Sequence, residues 1–402
     1  MIRWPGQRKK ASGLSLMEFE RCANPTVGIE WELQLLDAET LDLRPGIMPL
    51  MELYPSGTFV KPEFVQSCVE LTSPVSDTSD DAVRHVGATL SKVLQRCEEL
   101  DMTACGAGTH PFCRRLALIT PIPRYMRLEE SRGILAHTQI TFGTHVHIGM
   151  PSGDDAMRAM SRLIPALPAF IALSANSPFW RGHKTGHAAY RHRILAASPT
   201  YGRPVSFDSW ADFERFYHAA IRSGTIENFK DIHWDIRPHP DFGTLEIRAM
   251  DAASDLQNVH ALSAFVRALA VCMARTTDGE VRRILPAQLP VWVERENHYR
   301  ASRTGIDSDY IYDEQGRYRP VRGLIDDLIA LCDPIAEEIG ESKGLRLVRE
   351  ILGGRTGYSA QLDLFSATDS MQAVTADLVQ RLQPDHLRTA CRSRGRPTPG
   401  VG

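Results

Sequence analysis

The sequence predicts an α+β fold, and three observations lead to this prediction. Segments with the alternating pattern of strands lie in the first 250 residues, whereas helical patterns dominate the rest of the 402-residue chain. Strands and helices therefore do not alternate regularly, as they would in a parallel α/β fold. Three of the strand segments also carry polar side chains at every second position, which indicates one buried face and one polar face.

The first part of the chain is predicted to supply most of the strands. Residues 26–37 combine β-branched and aromatic residues and end at a turn near Asp37, which predicts a strand. The amphipathic pattern over 80–100 predicts a helix capped by Ser79 or Asp80. The other elements predicted here are a candidate returning strand at LDLRPG, a strand in the second half of 59–75, a short strand from 102 that runs into a Gly-rich turn, and a strand within 138–150.

Helices are predicted to dominate from residue 255 onward, and two further helices and one pair of strands are predicted between residues 153 and 250. IHWDIRP and GTLEIRAM predict two strands joined by the turn-forming segment PHPDFG. The stretch 176–194 is polar and glycine-bearing and fits no regular element. The predicted helices span about 153–175, 209–223, 255–277, 286–303, 319–340, 342–353 and 369–383.

The composition is ordinary for a globular enzyme and argues against several classes of function. Hydrophobic residues make up 43% of the chain, charged residues 24%, and the formal net charge is −3. This charge provides no basic field for nucleic acid or for an anionic membrane. No uninterrupted apolar run approaches the roughly 18 residues of a membrane span, and the apolar stretch after the basic N-terminus is too interrupted for a signal peptide. We expect a protein without nucleic-acid or membrane partners.

Cysteine usage indicates a reducing compartment. The chain has eight cysteines, none of them in a CxxC pair, and their scattered spacing does not resemble a disulfide framework. Reduced thiols in the cytoplasm are the simplest interpretation.

Polar residues at strand spacing are the main functional signal. Side chains at positions i and i+2 of a strand share one face, and here the positions between them are apolar. A sheet with one solvated face would produce the same alternation. The pairs are Glu30 and Glu32 in GIEWEL, His145 and His147 in THVHIG, and Glu246 and Arg248 in TLEIR.

The residue types on that face favour a metal site over a solvated surface. Lysine, threonine and serine, which usually decorate a wet sheet face, are missing from these positions, and Glu63 and Glu70 add two further carboxylates. Carboxylates converging on one face repel one another unless cations lie among them, and hard divalent cations prefer oxygen ligands. Such a set suits Mg²⁺ or Mn²⁺ better than a structural Zn²⁺ site. A neighbouring arginine is the usual partner of a phosphoryl group in transfer.

Seven segments, taken in order along the chain, resemble the type 2 glutamate–cysteine ligases, and more closely the bacterial carboxylate–amine ligase branch of that family. The resemblance runs from about Thr26 to Leu382, and the ordered set is specific although any single segment would be weak. The segments are GIEWEL, VELTSPV, GTHP, THVHIGM, SANSPFWRGHKTGHAAYRHRI, WDIRP and TLEIRAMD.

The resemblance implies a glutamine-synthetase-like fold, in which an antiparallel sheet is flanked by helices and holds ATP and Mg²⁺ on its concave face. Together with the composition of the two ends, it predicts a flexible leader over 1–25, a glutamate–cysteine-ligase-like catalytic domain over 26–385 and a disordered tail over 386–402.

The resemblance also implies roles for individual residues. Glu246 and Arg248 are the implied catalytic residues, and Arg248 is expected to face the phosphates of ATP. His147 is the implied metal-binding imidazole, with His145 as the alternative. Asp235 and Arg237 either pair with each other or face the site. The implied metal ligands are Glu30, Glu32, Glu63, Glu70, His147 and Glu246. The implied substrate contacts are His145, Trp180, Thr185, Tyr190, Arg191 and Arg237.

The implied reaction is the joining of a carboxylate and an amine at the expense of ATP, with Mg²⁺ or Mn²⁺ as cofactor. The γ-carboxylate of glutamate attacks the γ-phosphoryl group, and the amine of cysteine then displaces phosphate from the acyl phosphate, at a weak rate. Two alternatives stay open: the same chemistry with a different amine or acid, and a catalytically degenerate nucleotide-binding regulator. The general base, the metal used and the oligomeric state, with a homodimer among the options, are not determined by the sequence.

The chain departs from the family pattern in two places. Many members carry a third acid between the first two, whereas this chain has Trp31, which is expected to point to the opposite face of the strand. The family's C-terminal Arg-Gln-Arg run is reduced to Gln361 between Ala360 and Leu362, so a substrate contact from that segment is in doubt.

Overall fold

The computed structural model describes residues 17–54, 58–198 and 200–383. Its strands are β1 (Val27–Asp37), β2 (Val60–Pro62), β3 (Cys68–Thr72), β4 (Met102–Cys105), β5 (Gly143–Gly149), β6 (Phe179–Trp180), β7 (His183–Lys184), β8 (Tyr201–Gly202), β9 (His233–Trp234), β10 (Ile236–His239), β11 (Thr244–Asp251), β12 (Asp309–Ile311) and β13 (Tyr318–Pro320).

One large antiparallel sheet organises the described part of the chain. It has seven strands in the order β10-β11-β5-β1-β3-β2, and β4 pairs with the far half of β1. The remaining strands form two-stranded pairs, β12 with β13, β6 with β7 and β8 with β9. The sheet and its helices confirm the α+β class.

The helices of the described residues cover the sheet. Near the middle of the packed helices, α9 contacts α2, α5, α12 and α13 as well as β1 and β5. The helices are α1 (Ile47–Met51), α2 (Ser79–Glu99), α3 (Pro123–Arg132), α4 (Ile134–Thr138), α5 (Gly153–Leu163), α6 (Leu167–Ser174), α7 (Arg191–Leu195), α8 (Trp210–Ser223), α9 (Leu256–Arg275), α10 (Asp278–Val281), α11 (Val291–Thr304), α12 (Val321–Glu338), α13 (Ser342–Gly353), α14 (Gly357–Thr368) and α15 (Met371–Leu382).

Alternation along β1 separates the core from the polar face. Ile29, Trp31 and Leu33 are buried, whereas Glu30 and Glu32 between them are only partly buried. Trp31 does point away from the acids, and its Nε1 donates to the carbonyl of Ala253 at 3.1 Å. The tryptophan therefore belongs to the packing between sheet and helices.

Several predicted elements differ from the structure in detail. The predicted helix over 153–175 is broken by a 3-10 turn at Ile164–Ala166, because Pro165 lacks the amide hydrogen that a continuous helix needs. The cap of α2 is Thr78, whose side chain accepts from the amide of Asp81. The candidate returning strand contributes only a single bridge between Leu36 and Leu43.

Six helices of the described residues were not predicted from sequence: the short α1, α4, α7 and α10, and the longer α3 and α14. Helix α3 begins with a proline and is largely polar, so its periodicity is weak. Helix α14 contains the divergent C-terminal segment, and its Gln361 is buried and donates to both oxygens of Asn176, at 2.7 Å to the side chain and 3.2 Å to the backbone. This glutamine therefore joins α14 to the segment after α6.

Two helical segments among the described residues are long and apolar enough to cross a membrane by length and composition alone. Neither is an uninterrupted apolar run, so the sequence pattern did not indicate them. They are Gly153–Ser174 and Leu256–Arg275, and 83% of each apolar window is buried inside the protein. Such burial is typical of core helices.

The chain ends differ in part from the predicted leader and tail. The amide of Glu20 donates to Pro240 and that of Cys22 to Met150, so residues 17–25 lie against the fold. The rest of the leader, 1–16, and the predicted tail, 386–402, lie outside the described residues. All seven cysteines of the described residues are free thiols.

Candidate active site

The polar face of the sheet opens into a cavity of about 290 Å³. Strand register brings the predicted residues together there, because Glu30 of β1 lies opposite His145 of β5, and Glu246 of β11 lies opposite His147. On the other side of β1, Glu32 lies opposite Glu70 of β3. The polar residues of the three predicted strands therefore lie next to one another and form one continuous patch on the sheet.

One cluster on this patch combines carboxylates with imidazoles. His147 Nε2 lies 3.5 Å from Glu30 Oε1 and 3.8 Å from Glu246 Oε1, and His145 Nδ1 lies 3.5 Å from Glu30 Oε2. One ligand atom from each of Glu30, His145 and Glu246 lies within 4.8 Å of the others. Both histidines, not His147 alone, therefore lie within reach of an ion held by this cluster.

The second cluster consists of carboxylates only. Glu32, Glu63 and Glu70 each offer an oxygen within 4.8 Å of the other two. Burial and the nearby Glu63 raise the pKa of Glu32 to about 8. Burial, with Glu30 and Glu63 adding to it, raises the pKa of Glu70 well above its ordinary value. In the absence of a cation Glu32 is therefore expected to keep its proton at neutral pH.

The first cluster shows the opposite electrostatics. Although burial opposes ionisation, the neighbouring His147 and His145 hold the pKa of Glu30 well below its ordinary value. Burial likewise opposes ionisation of Glu246, but Arg237 and Arg248 outweigh it and lower its pKa strongly. Burial, reinforced by Arg248, lowers the pKa of His145 to about 3. A neutral imidazole is the form that can ligate a metal.

The donor set fits divalent metal ions. His145 Nδ1 and His147 Nε2 are buried and have no hydrogen-bond partner, although both point toward carboxylates. The other ring nitrogen of His147 lies 3.0 Å from Thr244 Oγ1, a contact of the kind that fixes the ring of a metal ligand. Unpartnered buried nitrogens beside clustered oxygens are costly without an ion. Residues of both clusters can therefore hold cations, with hard oxygen-preferring ions suited to the all-carboxylate one.

Glu246 is held between two arginines. It is fully buried, its Oε2 accepts from Arg237 Nε at 2.6 Å, and its Oε1 accepts from Arg248 Nη1. Asp235 and Arg237 therefore do not pair with each other. Arg237 pairs with Glu246 across the β10–β11 pair, and Asp235 accepts from His298 Nε2 at 2.9 Å.

Arg248 lies at an irregularity of β11. The register of β11 with β5 shifts between Ile247 and Met250. The amide of Arg248 donates to the carbonyl of Asp235 at 2.7 Å, and its carbonyl accepts from Arg191 Nη1 at 3.3 Å. Bulges of this kind re-aim side chains near active sites. Arg248 accordingly lines the cavity and keeps 16% of its side chain exposed.

Only three of the six implied substrate contacts line the cavity. Arg191 and Arg237 line it, together with His145. Trp180, Thr185 and Tyr190 lie outside the lining: Thr185 Oγ1 donates to the carbonyl of Pro178, and the rings of Trp180 and Tyr190 lie 6.5 Å apart. Their contact with bound substrate stays a prediction.

Sequence reasoning missed the residues that line the other sides of the cavity. These side chains come from α3, from β8 and β9 and from the segment between α8 and β9, so no single segment carries a pattern. In the sequence they resemble surface charges and ordinary loop aromatics. They are Arg124, Tyr125, Arg132, Tyr201, Lys230 and His233.

Comparison with known proteins identifies the family. A model of the glutamate–cysteine ligase family 2 matches residues 26–384. The chain belongs to this family. A protein of Trichormus variabilis provisionally named glutamate–cysteine ligase 2 is 42% identical over 369 residues, covering 92% of this chain and 95% of the relative. A protein of Thermobifida fusca with the same provisional name is 34% identical over 374 residues, which is 91% of this chain and 93% of the relative.

Solved structures agree with the family fold at much lower sequence identity. A glutamate–cysteine ligase of Francisella tularensis, solved in complex with AMP, matches with a TM-score of 0.64 at 11% identity and covers 94% of this chain and 93% of that one. A bifunctional glutathione synthetase of Pasteurella multocida matches with a TM-score of 0.58 at 15% identity, covering 89% of this chain and 51% of that one. The fold expected of a type 2 glutamate–cysteine ligase is thereby confirmed.

Proposed function

We propose that the protein is an ATP-dependent carboxylate–amine ligase that forms an amide through an acyl phosphate. The observation that carries this proposal is the meeting of two carboxylate clusters, two unpartnered imidazole nitrogens and Arg248 on one sheet face. Family membership supports the ligase class, and the names of the relatives support glutamate and cysteine as the substrates to test first.

The cation ligands proposed here are the acids and imidazoles of the two clusters, with Mg²⁺ as cofactor and Mn²⁺ as the alternative. When bound, such ions neutralise phosphate charge and orient a triphosphate. Glu246 would stay ionised for this role because Arg237 and Arg248 oppose the effect of its burial. Arg237 would orient the proposed ligand Glu246, and its contact with substrate stays a prediction because it also lines the cavity.

The reaction places two demands on the cavity. In the first step a carboxylate oxygen bonds to the γ-phosphorus while the bond to ADP breaks, so two anions must approach each other. Arg248 can offset that repulsion, because it lines the cavity and part of its side chain is exposed there. In the second step an amine bonds to the acyl carbon, phosphate leaves, and the amine loses a proton.

The cavity lining is also rich in cationic side chains. Arg124 and Arg132 of α3, Lys230 and Arg191 line it together with the acids. Cationic side chains suit the carboxylates of amino acids. A different amine or acid would use the same first step, so the alternative ligase activity remains the second candidate. The intact acids of both clusters argue against a degenerate regulator.

We further infer that the protein works in the cytoplasm on small molecules. Its proposed substrates are ATP and free amino acids, and the described cysteines are free thiols. We propose no nucleic-acid or membrane partner, and a homodimer is the oligomer to test by light scattering.

A screen of ADP release tests the activity. Purified protein is incubated with ATP, Mg²⁺ or Mn²⁺, and pairs of amino acids, with glutamate and cysteine as the first pair. We expect ADP and phosphate to appear in equal amounts with an amide product identified by mass spectrometry. Glu30→Gln, which keeps the shape of a ligand without its charge, serves as the inactive control. ADP release that does not depend on any amine, or that survives in Glu30→Gln, would contradict the proposal.

A further inference from the structure

An aromatic ring lies exposed at the cavity, next to the first cluster. Phe242 lines the cavity with 56% of its surface exposed. It lies in the short 3-10 turn between β10 and β11, and the following Gly243 has φ +62°, a conformation that glycine adopts without strain. The ring is therefore accessible to a ligand bound in the cavity.

The ring is held on a rigid support. Phe242 stacks on His239 with ring centroids 4.0 Å apart and planes 4° from parallel. His239 is itself buried, with Phe229 5.2 Å and His147 5.8 Å from its ring. One face of Phe242 is therefore covered, and its position is set by buried rings that do not depend on a ligand.

Phe242 is also close to the proposed ions. Its ring centroid lies 5.9 Å from that of His147. Two residues further along the chain, Thr244 contacts His147 Nδ1, and two residues after that comes Glu246. A triphosphate bound by ions at this cluster would thus have the exposed ring beside it.

Among the described residues, a second stacked pair lines the same cavity, but its geometry is less suitable. Tyr201 and His233 stack with centroids 4.5 Å apart and planes 11° from parallel. The guanidinium of Arg132 lies 5.4 Å over the ring of Tyr201. The guanidinium of Arg132 therefore already lies over the Tyr201 ring, whereas Phe242 is exposed.

We propose that Phe242, supported by His239, is the stacking platform for the nucleobase of ATP. This inference rests on the proposed function, since it requires the triphosphate to bind at the ion clusters. Stacking on an aromatic ring tolerates every base, because each base has a π-face. The platform should therefore contribute affinity for nucleoside triphosphates in general, with little choice among bases.

Binding of two probes to Phe242→Ala tests the platform. The first probe is the magnesium complex of the β,γ-imido analogue of ATP, and the second is magnesium tripolyphosphate, which has no base. We expect Phe242→Ala to weaken binding of the nucleotide by about tenfold to a hundredfold, as measured by calorimetry. Binding of tripolyphosphate should stay unchanged, and Phe242→Tyr should bind the nucleotide nearly as well as the wild type.

Trp292→Ala is the matched control, because Trp292 is 54% exposed and lies outside the cavity lining. It should bind both probes as the wild type does. An equal loss of both probes in Phe242→Ala, or no loss of either, overturns the platform. So does a wild type that binds the nucleotide no better than tripolyphosphate. A wild type that binds neither probe overturns the proposed function itself.

Discussion

At the scale of single residues, Glu246 and Arg248 lie two positions apart on β11 and have different environments. Glu246 is fully buried and accepts from two arginines, whereas Arg248 keeps part of its guanidinium open to the cavity. Since Arg237 already neutralises Glu246, Arg248 can serve a second anion. The contact between Arg248 and Glu246 is therefore compatible with a role for Arg248 in the reaction.

Arg248→Lys is expected to lower kcat by about 10²–10³ while the KM for ATP changes little. Lysine keeps the charge but loses the planar fork that matches phosphate oxygens. Steady-state ADP release against ATP concentration measures both constants, and Arg349→Lys, at an exposed ion pair, is the control. If Arg248 only neutralised Glu246, lysine would substitute for it and kcat would fall by no more than a few-fold.

Glu32 provides a test of the second cluster through pH. Its pKa in the folded protein is about 8, raised by burial and by Glu63, whereas a glutamate in an unfolded chain ionises near about 4.3. The folded state therefore keeps a proton that the unfolded state has lost. The contribution of Glu32 to the free energy of unfolding is fully present below about pH 4 and is lost as the pH rises through about 8.

Urea unfolding in excess chelator between about pH 5 and pH 8 should show this loss in the wild type. In Glu32→Gln the free energy of unfolding should fall less steeply with rising pH. The metal-free variant should be more stable than the wild type at the upper end of the pH range. Glu350→Gln, at an exposed position, should keep the wild-type slope. Parallel slopes for wild type and Glu32→Gln would mean that Glu32 is ionised in the metal-free protein.

At the scale of elements, the β10–β11 pair carries a buried ion pair within the sheet. Arg237 and Glu246 are direct cross-strand partners, and both are buried. Arg237 also donates to the carbonyl of Ile232 and lies with its guanidinium 5.3 Å from the centroid of the Phe229 ring. The strand pair thus fixes the position of the Glu246 carboxylate.

Arg237→Met is expected to lower the free energy of unfolding of the metal-free protein by about 3 kcal/mol, because a buried carboxylate loses one of its partners. Adding Glu246→Gln to this variant should restore part of the stability, since the uncompensated charge is then removed. Urea unfolding of the two single variants and the double variant measures the coupling. If Arg237→Met lowers the free energy of unfolding by less than about 1 kcal/mol, the effect is no larger than that of an exposed ion pair. Such a result would contradict the tight positioning of Glu246.

At the scale of the whole molecule, the site joins four strands and the segment after β2, so an ion bound there is expected to stabilise the sheet as a unit. Its proposed ligands lie on β1, β3, β5 and β11 and on the segment after β2. An ion that binds the folded chain alone adds stability according to its concentration relative to its Kd. Metal, nucleotide and fold stability are therefore expected to be coupled.

Magnesium at a hundred times its Kd should raise the free energy of unfolding by about 2.7 kcal/mol over the chelated protein. Binding of ATP should become much weaker in excess chelator, because no ions then bridge the acidic clusters and the triphosphate. Glu30→Gln should lose most of the stabilisation by magnesium. Equal ATP affinity with and without chelator would show that nucleotide does not bind through ions at this face.

The sequence by itself determined which residues form the floor of the site. The two-residue period of a strand is local, so Glu30, Glu32, His145, His147, Glu246 and Arg248 could be assigned to polar faces, and Trp31 to the core, without any tertiary information. The α+β class followed in the same way from where strand and helix patterns lie. Family motifs then ordered these strands into one predicted site.

Tertiary structure alone decided what surrounds that floor. The pairing of Arg237 with Glu246 rather than Asp235 depends on the register of two strands, which a one-residue shift would reverse. The walls formed by Arg132, Lys230 and Tyr201 come from separate elements that long-range packing brings together. The exposed face of Phe242 depends on the buried His239 beneath it. Local patterns specify the face of a strand, but only the packing of the whole chain specifies which side chains meet across a cavity.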